Sequence, residues 1–177
     1  MIQITKSVSV LRPVEEVYAF WRDLQNLSRF MMHVERVTTS GDRSHWIVKG
    51  PAGTTVEWDA EITDEQQNEL LAWRSLPGSQ IANSGSVRFK KAPADRGTEV
   101  QVSLQYEPPA GKAGAAVAKL FGEEPTQQLT DDLRRFKQVM ETGEVVLSDG
   151  SLEGAGQGMW KQRASQAPTQ KELEAAR

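Results

Sequence analysis

TTVEWDAEIT, residues 54–63, is the stretch that decides the fold. Val56, Trp58, Ala60 and Ile62 take every second position, and the side chains between them are mostly carboxylates. Successive side chains of a strand point to opposite faces, so one face is wet and the other is covered by apolar side chains. This is the pattern of a strand in an antiparallel sheet that has a core on one side only.

Similar alternation on both sides of this stretch predicts a larger sheet. The pattern indicates seven strands, the last six in one antiparallel meander, over residues 2–11, 33–39, 44–49, 54–63, 70–76, 81–91 and 99–106. Helical spacing after the first strand predicts two short helices, over residues 13–23 and 24–32. Pro13 suits a helix start because the missing N–H would be unpaired there anyway.

The apolar spacing becomes helical from about residue 112 to residue 140. One face of this predicted long helix carries Val117, Phe121, Leu129, Leu133, Phe136 and Met140. Gly122 and Pro125 interrupt the stripe, and Pro inside a helix costs about 3 kcal/mol, so we expect a kink or a break there. The break is either a hinge at a cavity mouth or a plain turn between helices. The predicted fold class is α+β, with a curved sheet around a long C-terminal helix.

The pairing of the strands around the turn at residues 50–53 can be tested by parity. If Trp46 and Trp58 share the inner face, paired residue numbers sum to an even number, which requires an odd-length loop or a bulge. A two- or four-residue loop would turn His45 inward instead. We favour the bulge, because it leaves Lys49 on the outer face.

Length and composition limit the domain organisation. A chain of 177 residues suits one domain, here residues 1–145, followed by a tail at residues 146–177. The tail has few aliphatic side chains, so we expect it to be disordered. Trp160 within it is either a weak docking anchor or a stray aromatic residue.

The composition also excludes several function classes. The net charge is −3 without a basic patch, which argues against nucleic-acid binding. No apolar run is long enough to span a membrane, and the N-terminus lacks the apolar block of a signal peptide, so we expect a cytoplasmic protein. The absence of Cys, and the presence of only His33 and His45, exclude thiolate catalysis and a His-rich metal centre. We therefore predict no metal, no cofactor and no catalytic residue.

Four segments resemble a known family. They are LRPVEEVYAFWRDLQNLSRFMMHVERV (11–37), HWIVKGPAGTTVEWDAEI (45–62), LLAWRSLPGS (70–79) and SGSVRFKKAPADRGTEVQVSLQYEPPAG (84–111). They look like the START-like (SRPBCC) superfamily, and most of all its bacterial members labelled polyketide cyclase/dehydrase or coenzyme Q-binding. The resemblance covers about residues 1–145 and implies a helix-grip fold, with a cavity between the sheet and the terminal helix. The superfamily includes carriers, cyclases and hydroxylase subunits, so the fold leaves the activity open.

The first functional hypothesis is non-enzymatic binding or transport of an apolar small molecule, such as a lipid, a quinone or a polyketide-like compound. Bulky side chains face inward, while Gly85 and Ala60 on the same face leave space. The predicted cavity lining is Phe30, Met31, Trp46, Val56, Trp58, Trp73, Asn83, Val87, Phe89, Val102, Leu104, Tyr106 and Phe121. The alternative for each of these side chains is that it simply fills the core.

The second hypothesis is a cyclase or dehydratase, which needs polar side chains inside the cavity. The candidates are Arg74, Tyr106 and Asn83, with His45 if the parity is reversed. Arg74 would serve as a polar anchor for a carboxylate or an enolate oxygen. By parity, however, Arg74 belongs on the outer face beside Asp59 or Glu61, as a cross-strand ion pair.

A third hypothesis is transient membrane contact through residues 111–122. Lys112 and Lys119 in this segment would meet an anionic surface, although two lysines are too few for stable anchoring. The predicted partner is thus an apolar small-molecule ligand, without nucleic acid. The oligomeric state stays open.

Overall fold

The computed structural model describes residues 1–49, 53–107 and 125–143. Its strands are β1 Ile2–Val10, β2 Val34–Ser40, β3 Arg43–Lys49, β4 Thr55–Gln66, β5 Leu70–Ser75, β6 Asn83–Lys91 and β7 Thr98–Tyr106. Its helices are α1 Val14–Arg22 and α2 Pro125–Thr142, with 3-10 helices at Leu24–Arg29 and Pro93–Asp95. Four predictions fall outside these residues: the lead helix before Pro125, the cavity role of Phe121, the membrane contact at 111–122 and the tail with Trp160.

The strands form one antiparallel sheet in the order β1-β7-β6-β5-β4-β3-β2. The predicted seven strands and the six-stranded meander are therefore confirmed, and β1 closes the order by pairing with β7. The register shifts between Val34 and Arg36 in β2, and between Ile62 and Asp64 in β4. Such irregularities bend a strand and increase its twist, which curves the sheet around its apolar face.

The register between β3 and β4 confirms the even parity. Trp46 lies opposite Trp58, and the pairing is unbroken down to Lys49 opposite Thr55. The connection between these strands is thus residues 50–54, an odd loop of five residues, and it satisfies the parity without a bulge in the ladder. The alternative that turned His45 inward is wrong, because His45 contacts Asp59 on the outer face at 2.9 Å.

The helices cover the inner face of the sheet. α2 begins at Pro125 and buries Leu129, Leu133, Phe136 and Val139, while the predicted break at Gly122 and Pro125 stays a prediction because residues 108–124 lie outside the described ranges. The second short helix is a 3-10 helix of six residues, shorter than the predicted 24–32. No helix of the described segments is long and apolar enough to cross a membrane.

Polar contacts connect the C-terminal end of α2 to the end of β1 and to the turn that follows it. The Arg12 side chain donates from Nε to the Met140 carbonyl at 2.8 Å, and Lys137 Nζ donates to the Ser9 carbonyl at 2.7 Å. Glu141 accepts from the Leu11 amide at 2.9 Å, and its pKa is lowered by hydrogen bonds from Lys137 and that amide, against the effect of burial. These contacts fix the distance between α2 and the sheet at this end.

Candidate ligand cavity

A cavity lies between the inner face of the sheet and the start of α2. Its volume is about 100 Å³, within a recess of about 920 Å³ of empty space that includes open solvent. The sheet supplies most of its wall, while the segment after the 3-10 helix and the first turns of α2 supply the rest. Seven of the residues predicted to line a cavity do so: Met31, Trp46, Trp58, Trp73, Asn83, Leu104 and Tyr106.

Five other predicted lining residues are buried in the core and do not reach this cavity: Phe30, Val56, Val87, Phe89 and Val102. Phe30 does not line the cavity because its ring packs against Trp21 and Phe136, with centroid distances of 5.4 and 5.2 Å. Phe89 does not line it because the Tyr18 ring packs edge-on against the Phe89 ring, at a centroid distance of 5.6 Å. Alternation identified the inner face correctly, but other side chains fill the space beside these five.

The most regular part of the cavity wall is a pair of stacked indoles. Trp46 and Trp58 are direct cross-strand partners, and their rings lie 5.7 Å apart at an interplanar angle of 9°. The Trp46 indole N–H donates to Ser44 Oγ at 2.9 Å, which fixes the ring orientation. The two stacked indoles together form a continuous aromatic part of the cavity wall.

Trp73 completes the indole wall through a close approach to Gly85, its partner across β5 and β6. A Cβ atom at Gly85 would lie 2.8 Å from Trp73 Cε2 and 2.9 Å from Leu104 Cδ2. The expectation that Gly85 leaves open space is therefore wrong: the Trp73 ring occupies it. Ala60 is fully buried and does not line the cavity either.

Polar residues also line the cavity, and the sequence analysis did not identify five of them: His33, Ser84, Gln105, Gln128 and Asp132. Asp132 is 5% exposed and pairs with Arg135 at 2.6 Å, and Arg135 Nε also donates to the Phe30 carbonyl at 3.1 Å. The sequence contained a signal for two of the five. Gln128 and Asp132 lie one helical turn apart, beside the apolar stripe that begins at Leu129.

Tyr106 and Asn83, the inward polar candidates, both line the cavity and lie opposite each other in β7 and β6. Burial raises the pKa of the Tyr106 hydroxyl above its ordinary value, so this group remains a neutral O–H at physiological pH. The cavity thus offers neutral donors and acceptors at the Tyr106 end of the sheet.

Arg74, the predicted polar anchor, does not belong to the cavity. It lies opposite Glu61 on the outer face and donates to its Oε1 from Nη2 at 2.8 Å and from Nε at 2.9 Å. Its side chain is 63% exposed. Adjacent residues of a strand point to opposite faces, so Arg74 points outward where Trp73 points inward. Arg74 therefore forms the cross-strand ion pair with Glu61 that the sequence analysis gave as the alternative to an anchor in the cavity.

The described residues contain no cluster of three His, Asp or Glu side chains arranged to hold a metal ion. No Lys or Arg from the same parts of the chain lines the cavity. What this arrangement provides is an apolar surface of aromatic rings with a few neutral polar groups and one paired carboxylate.

Comparisons with known proteins agree with this geometry. A family model described as polyketide cyclase/dehydrase and lipid transport matches residues 10–134. An uncharacterized 17.2 kDa protein of Streptomyces lincolnensis, from the melC2-rnhH intergenic region, is 29% identical over 145 residues, which are 80% of this chain and 91% of that protein.

Two solved structures share the fold. The crystal structure of DR_A0006 from Deinococcus radiodurans is 43% identical, covers 81% of this chain and 99% of its own, and has a TM-score of 0.66. That of TTHA0849 from Thermus thermophilus is 24% identical, covers 75% and 92%, and has a TM-score of 0.56. At that identity the Thermus structure supports the fold alone.

Proposed function

Because the chain belongs to the polyketide cyclase/dehydrase and lipid transport family, part of the START-like superfamily, we propose that it binds an apolar small molecule in the cavity without transforming it. A lipid, a quinone or a polyketide-like compound fits this role. The binding unit is residues 1–145. One observation carries the proposal: a cavity walled by Trp46, Trp58 and Trp73 between the sheet and α2.

The size of the cavity limits what it encloses. An apolar cavity of about 150 Å³ is known to hold benzene, so about 100 Å³ takes a ring-sized group at most without expansion. A larger ligand would insert one ring against the indole wall and extend the remainder into the open recess.

The apolar wall provides a moderate affinity. A ring system that buries about 200 Å² of apolar surface gains about 5 kcal/mol, at roughly 25 cal/mol per Å². Before the costs of ordering, this corresponds to a dissociation constant of a few tenths of a millimolar. Tighter binding requires either a longer apolar extension or polar contacts within the cavity.

The test is to extract the purified protein with organic solvent and identify the released compounds by mass spectrometry. We expect an apolar ring compound from the natural protein and none from Leu104→Trp, which adds bulk at the wall. Gln101→Trp is the matched control, because it adds the same side chain on the exposed face of the same strand. Equal yields from both variants, or no compound from any of the three, would contradict the proposal.

A second candidate function is a cyclase or dehydratase. The observation that favours it is the presence of ionisable side chains on the wall, namely Tyr106, His33 and Asp132. The neutral Tyr106 hydroxyl is suited to donate a proton or a hydrogen bond to an enolate. In that case Tyr106→Phe would abolish turnover of an aromatic polyketide mimic while the mimic still bound. A carrier would show no turnover before or after the substitution.

A further inference from the structure

Several residues of the cavity wall carry a buried polar atom without a partner among the described residues. Four buried side-chain nitrogen or oxygen atoms of the described residues have no hydrogen-bond partner: Trp21 Nε1, Trp58 Nε1, Gln128 Oε1 and Gln138 Oε1. The first three belong to residues that line the cavity. A buried polar group left unpaired costs about 1–3 kcal/mol, and such groups are rare in folded proteins. Their location suggests that a bound molecule supplies the missing partner.

Trp58 is the informative member of this set, because its stacking partner provides a contrast. The Trp46 N–H is paired with Ser44, two residues earlier on the same face of β3. The corresponding neighbours of Trp58 on β4 are Val56 and Ala60, and neither has a side chain that accepts a hydrogen bond. Of these two almost parallel indoles, only Trp46 has a hydrogen-bond partner on its own strand.

Ring contacts do not replace the missing acceptor of Trp58. An indole N–H lies in the plane of its ring, and the Trp46 plane is only 9° away, so the Trp58 N–H does not point at the Trp46 face. Trp21 differs, because its ring is steeply inclined to Phe30 and Phe136 at 5.4 Å, a geometry compatible with N–H to ring contacts. The Trp58 side chain is thus nine-tenths buried, and its N–H has no acceptor among the described residues.

We propose that the ligand of this cavity is a neutral ring compound with a carbonyl oxygen, and that this oxygen accepts a hydrogen bond from Trp58 Nε1. The inference rests on the proposed binding function and adds the ligand class. A cyclic ketone or a quinone has the required chemistry. A carboxylate or phosphate does not, because no Lys or Arg of the described residues lines the cavity and Asp132 presents a carboxylate to it.

Two probes of matched shape isolate the carbonyl: 1-indanone and indane, which differ by one oxygen in place of two hydrogens. Their dissociation constants are measured by calorimetry for the full chain and for Trp58→Phe, which removes the N–H. We expect the indanone-to-indane ratio of dissociation constants to rise about tenfold in Trp58→Phe, because one buried hydrogen bond is lost for indanone only. Both probes meet the same change in ring shape, so the ratio cancels it.

Trp46→Phe is the matched control, since it removes the neighbouring N–H that Ser44 already satisfies. We expect the same ratio in Trp46→Phe as in the natural protein. An unchanged ratio in Trp58→Phe, or an equal rise in Trp46→Phe, would overturn the carbonyl inference while leaving the apolar cavity intact. If neither probe binds the natural protein, both the inference and the proposed function fail.

A measurement on the natural protein keeps the proposal testable if Trp58→Phe does not fold. The five tryptophans give five indole N–H resonances in a nitrogen–proton correlation spectrum. Saturation with 1-indanone should move the Trp58 indole proton downfield, as hydrogen bonding does, and indane should not. Identical shifts of that proton with both probes would show that no hydrogen bond forms.

Discussion

Two groups of aromatic rings lie on the inner side of the sheet, and they differ in whether they leave space between them and their neighbours. The closed cluster is Trp21, Phe30 and Phe136, whose rings come from three different elements and meet at steep or intermediate angles, 5.2–5.4 Å apart. The open wall is Trp46, Trp58 and Trp73, which come from adjacent strands, with the first two rings almost parallel. The closed cluster fills its own volume, whereas the open wall borders a cavity.

Backbone placement explains this difference. Rings from α1, from α2 and from the residue after the first 3-10 helix approach one another from several directions and interdigitate, as aromatic rings do in cores. Rings directly opposite each other on neighbouring strands have a common orientation and cannot fill the space above themselves. Trp21 connects the two groups, since it packs in the closed cluster and also reaches the cavity. Stability should therefore depend mainly on the closed cluster, and ligand affinity mainly on the open wall.

The largest expected effect on stability comes from Phe136→Ala in the closed cluster. Phe136 is fully buried, so the lost contacts and the new void should lower the free energy of unfolding by about 3–5 kcal/mol. The affinity for indane, measured at a temperature where the variant is folded, should stay within about twofold. Urea denaturation and calorimetry give the two values. A large loss of indane affinity would contradict the assignment of stability to the closed cluster and of ligand affinity to the open wall.

The next largest effect on the free energy of unfolding is expected at high pH and comes from the buried Tyr18 hydroxyl. Burial, and then the hydrogen bond to Glu65, raise the pKa of Tyr18 from 10.0 to about 12. The unfolded chain therefore releases this proton at lower pH than the folded protein does. The stabilisation is complete below about pH 10 and is lost as the pH rises to about 12, by about 2–3 kcal/mol.

Urea denaturation between pH 9 and pH 12 tests this dependence, with Tyr18→Phe as the comparison. The variant should lose less stability across that range, because it lacks the titrating hydroxyl. The contribution of Tyr106, whose pKa is also raised by burial, should be equal in both proteins. Parallel stability curves would show that the Tyr18 hydroxyl does not titrate as proposed.

A smaller effect should follow from Gly85→Ala beneath the open wall. The added methyl group collides with Trp73 and Leu104, so the indole must move toward the cavity. We expect a loss of about 1–3 kcal/mol in the free energy of unfolding, typical of overpacking, together with several-fold weaker indane binding.

The control for this prediction is the same substitution in a Trp73→Leu background. A leucine side chain leaves room for the new methyl group, so Gly85→Ala should then cost much less stability. An equal cost in both backgrounds would mean that the strain lies in the backbone and not in the contact between residues 85 and 73.

The smallest effect is expected for Arg74→Ala on the outer face. An exposed ion pair such as Arg74 with Glu61 contributes less than about 1 kcal/mol. The affinity for indane and for 1-indanone should not change, because the side chain points away from the cavity. Weaker binding of 1-indanone alone would restore Arg74 as a polar anchor and displace Trp58 from that role.

The sequence predicted the sheet well, because alternation and loop parity are local properties. The prediction that Trp46 and Trp58 share the inner face is confirmed, although a five-residue connection and not the favoured bulge satisfies the parity. The boundary between core and cavity was not predictable in this way. Phe30 and Met31 are neighbours in sequence, yet the first belongs to the closed cluster and the second to the cavity wall.

The reason is that a cavity depends on what the facing elements leave unfilled. Inner-face residues such as Val102 and Leu104 have the same pattern in the sequence, but only Leu104 reaches the cavity. Gly85 was misread for the same reason, since the volume it frees is taken by a ring on the next strand. The side chains of facing elements and neighbouring strands decide such cases, and the alternation within one strand carries no information about them.

Both proposals require that the indole wall faces a space that an apolar guest can enter. A crystal structure of the protein under xenon pressure reveals such a space, because xenon enters dry apolar cavities. We expect xenon density against Trp58 and Trp73, and none among Trp21, Phe30 and Phe136. Side chains of α2 in direct contact with the indole faces, with no xenon between them, would contradict this expectation.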